Sequence, residues 1–430
     1  MSERPRTSCP RILRDWLNPT GARKVHSLVD KVYKPKNLML AWEKVRRNKG
    51  AGGVDGVTWM DFEEGLQERL DGLHVELKAD TYRPQPARQK LIPKAGQPGK
   101  YRPLGIPTIY DRVCQQALRN RLEPIFEPLF DDANFGYRRG RSAKDAMGKI
   151  WRELRAGSEW VVDADLKNFF GTVDHDKLIT LVAQRVSDGR VLRLIRSMLE
   201  AGCMADGVYQ PTTEGTPQGG VVSPLLSNVL LTPFDREMRA RGYRLTRYAD
   251  DWVVTCRTRR EAEQALEEAK KILTELGVIL NEQKTRIVHI SQGFEFLGYK
   301  VKRGQRKLRL PAHKIRSGMQ PHSLYAYPTQ KALDRFKEQI RKRTRRKAGV
   351  SVQQLINDLN PVIRGWGHYY CKAHVRKLFS RLARWIVQRI WSYRFKRWRC
   401  KGYRELPERK LYGEMGLVNL VHLIPSLALR

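Results

Sequence analysis

The sequence predicts an α+β protein of more than one domain. At 430 residues the chain is too long for one ordinary domain. Stretches rich in β-formers alternate with stretches of helical period up to about residue 300. Beyond that point basic and aromatic residues take over at helical spacing. The expected division is an N-terminal extension (1–50), a mixed α/β body with an antiparallel sheet (51–305), an α-helical domain (306–400) and a short C-terminal tail (401–430).

Taken in order, "NLMLAWEKVRRNKG" (37–50) reads as a basic helix, followed by the glycine-rich turn "GAGGVDGVT" (50–58). "DFEEGLQERLDGL" (61–73) has helical spacing. Residues 84–107 are dense in Pro, Gly, Lys and Arg around β-prone pieces such as "QKLIP", which predicts a twisted hairpin with a basic tip. Helical patterns return at 111–130. "EWVVDADL" (159–166) reads as a strand, and 175–186 and 190–202 as helices. A buried helix is expected over 219–240, then a hairpin from "GYRLTR" into "RYADDWVVT" (247–255). "EAEQALEEAKKILTELG" (261–277) is a charged amphipathic helix ended by Gly277. "RIVHI" and "FEFLGYKV" read as a final strand pair.

Composition narrows the partner. The net charge is +37, from 82 Lys and Arg against 45 Asp and Glu, and the default partner of such an excess is nucleic acid. Residues 331–347 alone hold nine basic and two acidic side chains. No run of 18 apolar residues occurs and the N-terminus lacks an apolar signal core, so a cytoplasmic protein with no membrane partner is expected. The six cysteines are scattered with no CxxC pair, which argues against a disulfide framework or a zinc ribbon.

The chemistry concentrates in acids. Asp250 and Asp251 stand side by side at the start of an apolar, β-prone run. Asp163 and Asp165, two apart on the earlier strand, share a face. If the two strands are neighbours, three carboxylates converge and repel one another unless a cation intervenes. Hard oxygen ligands without His or Cys suit Mg²⁺, and two such ions can clamp both oxygens of an in-line phosphoryl displacement. The plainer reading, Asp-Asp as a solvated turn, leaves the upstream acids and the charge unexplained. Between the acidic strands lies "TEGTPQGGVVSPLLSNVLL" (213–231), a tight turn into a helix whose bare start lets backbone approach a flat ligand. "KLIPKAGQPGKYRPLGIP" (90–107) places Lys94, Lys100 and Arg102 around a Gly-Pro turn, where they can fold over a triphosphate.

In combination these segments resemble the group II intron-encoded reverse transcriptase/maturases of bacterial type. "RYADDWVV" resembles the catalytic Tyr-Ala-Asp-Asp signature and "VVDADLKNFFGTVDH" the first metal-binding motif. "NKGAGGVDGVT", "LIPK" with "YRPLGIPTIYDRVCQQAL", "FGYRRGRSAKDA", "GTPQGGVVSPLLSNVLL", "LNEQKT" and "FEFLGYKV" resemble further blocks in the family's order. "SVQQLINDLNPVIRGWGHYY" resembles the thumb-like maturase segment. The resemblance covers roughly residues 35–400.

It implies a right-hand polymerase, fingers and palm over 51–305, followed by an α-helical thumb/maturase domain. Asp165, Asp250 and Asp251 become the catalytic acids, and the Leu166 carbonyl also faces the metal. Asp163 is then a neighbour, although spacing alone does not separate it from Asp165. The resemblance assigns Lys94 and Arg102 to the triphosphate, Phe170 to the aromatic beneath the sugar, Gln218 to the side of the nucleotide and Lys284 to the vicinity of the metals. The basic region would grip intron RNA together with residues 1–50, through Arg341, Lys342, Arg343, Arg345, Arg346, Trp366, Tyr369 and Arg376, with Tyr370, Arg384 and Lys396 as further candidates. The implied partners are intron RNA, an RNA template with a DNA primer, dNTPs and target DNA. The implied activity is RNA-directed DNA synthesis coupled to assisted splicing and target-primed mobility. The end of the chain carries no His-Asn-His pattern, so a nuclease is not expected. Gly171 stands where relatives often carry Asp. A splicing-only maturase, or a polymerase of this lineage recruited to host defence, are the competing readings.

Overall fold

The computed structural model describes residues 17–18, 21–93, 99, 101–307, 322–345, 349–395 and 404–425, with backbone only at 305–307 and 322. Lys94, Lys100, Arg346 and Lys396 lie outside the described residues. The chain forms two compact units: Met1–Leu154 with Ser158–Ile287, and Arg155–Gly157 with Val288–Arg430.

The first unit opens with helices α1 (Val29–Val32), α2 (Pro35–Arg47), α3 (Trp59–Glu64) and α4 (Leu66–Ala79). Pro35 at the first position starts α2, and a reciprocal Thr58–Asp61 capping box starts α3. The hairpin expected over 84–107 is β1 (Ala87–Pro93) paired antiparallel with β2 (Tyr101–Ile106). Next come α5 (Ile109–Phe126), α6 (Ala143–Arg155), β3 (Trp160–Asp165), α7 (His175–Ala183) and α8 (Gly189–Glu200). Strands β4 (Cys203–Ala205) and β5 (Val208–Gln210) join the first hairpin in the order β2-β1-β4-β5. Helix α9 (Ser223–Ala240) leads into β6 (Arg244–Tyr248) and β7 (Asp251–Cys256), and α10 (Arg259–Glu275) into β8 (Arg286–His289). These strands form a second sheet, ordered β6-β7-β3-β8.

That order explains the apolar run after the two acids. β7 is central, paired antiparallel with β6 on one side and β3 on the other, and α9 and α10 pack against the sheet. Trp252 through Cys256 are consequently buried, with the Trp252 ring edge-on to Phe234 of α9 at 5.3 Å. A single apolar core runs through the first unit, from Leu17 to Leu280.

The second unit begins with a three-stranded antiparallel sheet ordered β11-β10-β9, from β9 (Phe294–Phe296), β10 (Tyr299–Lys307) and β11 (His322–Pro328). Two expectations are corrected here. "RIVHI" does not pair with "FEFLGYKV": it supplies β8 of the earlier sheet, while "FEFLGYKV" folds on itself as β9 and β10. Nor is the stretch from 306 wholly helical, since β11 lies within it. Helices α11 (Gln330–Arg343), α12 (Val352–Tyr370) and α13 (Arg376–Phe395) follow, with Thr329 capping α11 and a Ser351–Gln354 capping box starting α12. Among the described residues no helix is long and apolar enough to cross a membrane.

Candidate active site

The site is built on the β6–β7 turn and the end of β3. Tyr248 pairs with Asp251, leaving Ala249 and Asp250 as a two-residue turn, with Ala249 at φ +60°. Across the sheet Asp165 is the register partner of Asp251. Three acids separated by 85 positions therefore meet at one edge of the sheet. Asp163 shares the face of Asp165 but is held at 3.0 Å by Arg286 of β8. Its carboxylate is thereby engaged away from the group.

The electrostatics are those of crowded carboxylates. Burial raises Asp250 above the usual carboxylate range and the Asp165 charge adds to this, while Lys284 and Arg102 pull it back. Asp251 opens onto solvent, yet protein atoms crowd its carboxyl on the other sides. That partial burial, then the charges of Asp250 and Asp165, push it up to about 7. Lys284 Nζ lies 2.5 Å from Asp165 Oδ2, and this bond holds the ammonium above its usual pKa. In this conformation no three His, Cys, Asp or Glu side chains among the described residues are already disposed as a ligand group for a metal ion. In kind and charge the donors nonetheless fit a hard divalent cation: acid oxygens only, with mutual repulsion that a cation would relieve. Lys284 supplies one positive charge to the same cluster.

The other expected nucleotide residues surround this edge. Arg102 is exposed on β2, near enough to bias Asp250. The Pro-Gln-Gly-Gly turn docks on the same strand, since Gly105 N–H donates to the Gln218 carbonyl at 2.8 Å. Gly219 (φ +124°) makes that contact possible, because a Cβ there would stand 2.3 Å from the Gly105 carbonyl oxygen. Half-buried Phe170 is tied to the same loop: Thr216 N–H donates to its carbonyl at 2.6 Å. Phe169 beside it is a core residue, 3 % exposed. Leu166 is buried and bridges Leu280, and Asn281 N–H donates to the Asp165 carbonyl at 2.9 Å.

Several contributors carry no sequence signal of their own. Arg247, wholly buried, grips Asp235 of α9 and donates to the Ala249 carbonyl inside the acidic turn. Asn228, one helical repeat before Asp235, binds the Gly136 carbonyl at 2.9 Å. Gly136 lies against the turn so closely that a Cβ would come within 2.2 Å of Ala249 N. Tyr137, at φ +58° and 43 % exposed, follows it, and Asp250 is the first charge to influence its phenol after burial. His175 Nε2 hydrogen-bonds the Gly215 carbonyl at 2.6 Å, bracing the loop that holds Phe170. The one legible hint is Asn228 with Asp235, an amide and a carboxylate seven apart and so on one face of α9.

The residues expected to touch RNA fall in the second unit. Arg341, Lys342 and Arg345 are exposed at the end of α11, and Arg376 is exposed at the start of α13. Arg343 is turned to Asp358 at 3.3 Å. Trp366 and Tyr369 instead face inward. Trp366 stacks on Phe336 at 4.4 Å, and Tyr369 stacks on Tyr299 while its hydroxyl donates to the Leu297 carbonyl at 2.8 Å. Trp366 thus packs between α12 and α11, and Tyr369 between α12 and the β9–β10 hairpin.

Comparison with known proteins agrees with this geometry. The reverse transcriptase (RNA-dependent DNA polymerase) family model matches residues 92–301, and the group II intron maturase-specific domain matches 333–412. Protein YkfC of Escherichia coli (strain K12) is 33 % identical over 332 residues, covering 68 % of this chain and 87 % of that protein. The group II intron-encoded protein LtrA of Lactococcus lactis subsp. cremoris is 32 % identical over 336 residues, 63 % of this chain. The chain spans only about half of LtrA, 55 %. Nuclear intron maturase 4, mitochondrial, of Arabidopsis thaliana is 31 % identical over 136 residues, 31 % of this chain and 17 % of that one. With both domains matched in order and the acids meeting at one sheet edge, the chain belongs to the group II intron-encoded reverse transcriptase/maturase family, in which an RNA-directed DNA polymerase is joined to a splicing maturase.

Proposed function

We propose that this chain extends a DNA primer on an RNA template at the β3–β7 edge, and that its second unit grips the intron RNA to assist splicing and target-primed mobility. The observation that carries the polymerase assignment is the cross-strand register of Asp165 with Asp251, with Asp250 in the adjoining turn. Asp165, Asp250, Asp251 and the Leu166 carbonyl would hold two Mg²⁺ ions. Bound there, the ions would offset charge on the attacking and leaving oxygens of the phosphoryl transfer. Lys284 keeps Asp165 oriented, and Arg102, together with Lys94, takes the triphosphate. Gln218 flanks the nucleotide. The Phe170 ring lies under the sugar and leaves no room for a 2′-hydroxyl. Exposed Arg341, Lys342, Arg345 and Arg376, with Arg343 and Arg346, supply phosphate contacts.

The test is primer extension on an RNA template with Mg²⁺, run beside a splicing assay on an intron-containing transcript. Asp250→Asn is expected to abolish extension while leaving RNA binding and splicing largely intact. Extension by that variant at the parent rate would remove Asp250 from the chemistry. A parent protein inactive in extension but active in splicing would leave the maturase role alone.

A further inference from the structure

The β10–β11 hairpin of the second unit carries two unlike faces. Tyr299, Val301 and Ala326 are buried on one. The other presents Tyr325 and Tyr327, two residues apart on β11, with near-parallel rings 12° from coplanar orientation and 6.0 Å between centres. Directly across the pair, Lys302 is the register partner of Tyr325 and Lys300 that of Tyr327. Cross-strand partners share a face, so two ammonium groups flank two aligned rings. Both lysines are exposed, and Tyr327 is 41 % exposed.

The rings are held, not loose. The His374 ring packs edge-on to Tyr325 at 5.1 Å and tilts against Tyr327 at 6.2 Å. His374 is fixed in turn: its Nδ1 accepts from Ala326 N–H at 3.2 Å, and its own backbone N–H donates to the Ala326 carbonyl at 2.9 Å. Gly304 leaves the space the Tyr325 ring occupies, since a Cβ there would come within 2.6 Å of the ring. Glu295 of β9, opposite Lys300, is the one acid on this face among the described residues and partly offsets its charge.

We infer that this face is a stacking platform for an unpaired segment of RNA, with bases on Tyr325 and Tyr327 and phosphates along Lys300 and Lys302. A rigid aromatic pair on a sheet with flanking lysines stacks any base through its π-face and holds the backbone by charge. A duplex keeps its bases inside and offers such rings nothing to stack on. The choice of RNA as occupant rests on the maturase reading above; the single-strand preference rests on the rings alone.

The experiment is fluorescence anisotropy of the full chain with a labelled 12-nucleotide oligouridylate, a blunt 12-base-pair RNA duplex and a 12-nucleotide oligothymidylate. Tyr325→Ala/Tyr327→Ala is expected to lower oligouridylate affinity roughly tenfold or more, and to lower the single-strand to duplex affinity ratio by a similar factor. Tyr325→Phe/Tyr327→Phe, which keeps the rings, is expected to restore that ratio. Lys300→Ala/Lys302→Ala, independent of ring packing, is expected to flatten the log–log salt dependence by about 1.4, for two phosphate contacts. Equal losses for oligouridylate and duplex would overturn the platform, as would a Phe pair no better than the Ala pair or an unchanged salt slope. A loss confined to oligothymidylate would overturn RNA as its occupant. Failure of the parent protein to assist splicing would count against the maturase reading and leave this comparison of single strand with duplex standing.

Discussion

Arg247 and Asp235 form a fork-to-fork ion pair with both side chains wholly buried, Nε to Oδ1 and Nη2 to Oδ2 each at 2.6 Å. The remaining nitrogen, Nη1, donates to the Ala249 carbonyl at 2.9 Å and to Asn228 Oδ1 at 3.3 Å. The pair thus ties α9 to the turn that holds Asp250. Removing one partner leaves the other charge uncompensated in the core. Asp235→Ala is therefore expected to destabilise the first unit by roughly 3–5 kcal/mol, whereas Arg247→Met/Asp235→Leu recovers most of that loss. Chemical denaturation of the two variants gives the comparison. Equal losses would mean that the cost is packing and not the orphaned charge. The recovered variant still lacks the donor to Ala249, so slow primer extension by a stable protein is expected of it.

How far the site could be read from the sequence follows from which residues carry local signals. The strand at 159–166, the hairpin at 247–255 and the glycine turn at 215–220 each announce themselves by period, by paired acids or by Gly. What joins them is long-range and polar. Arg247 reads as an ordinary charge beside Tyr248, and only the fold shows that it is buried against Asp235. Gly136 looks like any loop glycine until Ala249 is seen against it. Trp366 and Tyr369 read two ways. Aromatics among basic residues suggest base stacking, but their helical spacing equally suits a packed interface, and in the structure both half-buried rings pack on neighbours, Trp366 on Phe336 and Tyr369 on Tyr299. β11 is easily missed because the turn signals before "HSLYAYP", Ser317-Gly318 and Pro321, stand in a basic stretch that leads into the helical region.

Gly136 offers a sharper probe of alignment than any charged residue. A methyl group in place of its hydrogen would stand 2.2 Å from Ala249 N, which is backbone, so the strain cannot be relieved by a side-chain rotation. Gly136→Ala must displace either the 135–137 loop or the Ala249–Asp250 turn. A shift near 1 Å at reacting groups can cost about 100-fold in rate. The expected result is a loss of that order in the maximal rate of primer extension, read by single-turnover kinetics, with oligouridylate binding by the second unit unchanged. A parent-like rate would show that the turn tolerates the displacement.

Phe170 is fixed from behind by the loop that carries Gln218. Thr216 N–H holds its carbonyl, Gly215 (φ +92°) would place a Cβ 2.8 Å from the same oxygen, and buried His175 holds the Gly215 carbonyl. Phe170→Ala removes the ring and should admit ribonucleotides. The preference for dNTP over rNTP is expected to fall by roughly 10-fold or more, within the range that one pocket group controls. His175→Ala leaves the ring but frees the loop. A smaller loss of preference, with a higher KM for dNTP, is expected for it, and His175→Gln, which retains a hydrogen-bonding group, should restore part of both. Incorporation ratios from paired dNTP and rNTP titrations give the answer. An unaltered ratio in Phe170→Ala would take this ring out of sugar selection.

His374 gives the second unit a pH dependence of known sign. Burial against Tyr325 and Tyr327 lowers its pKa below the ordinary value of 6.5, and the Ala326 N–H it accepts fixes the neutral ring. The unfolded chain then binds a proton more readily than the folded one. The stability contributed by this difference is present above pH 6.5 and is lost as pH falls through the folded value. Melting temperature measured from about pH 7.5 downward should decline below about 6.5, and His374→Gln should flatten that part of the profile. A variant whose profile keeps the parent slope would assign the titration to another group.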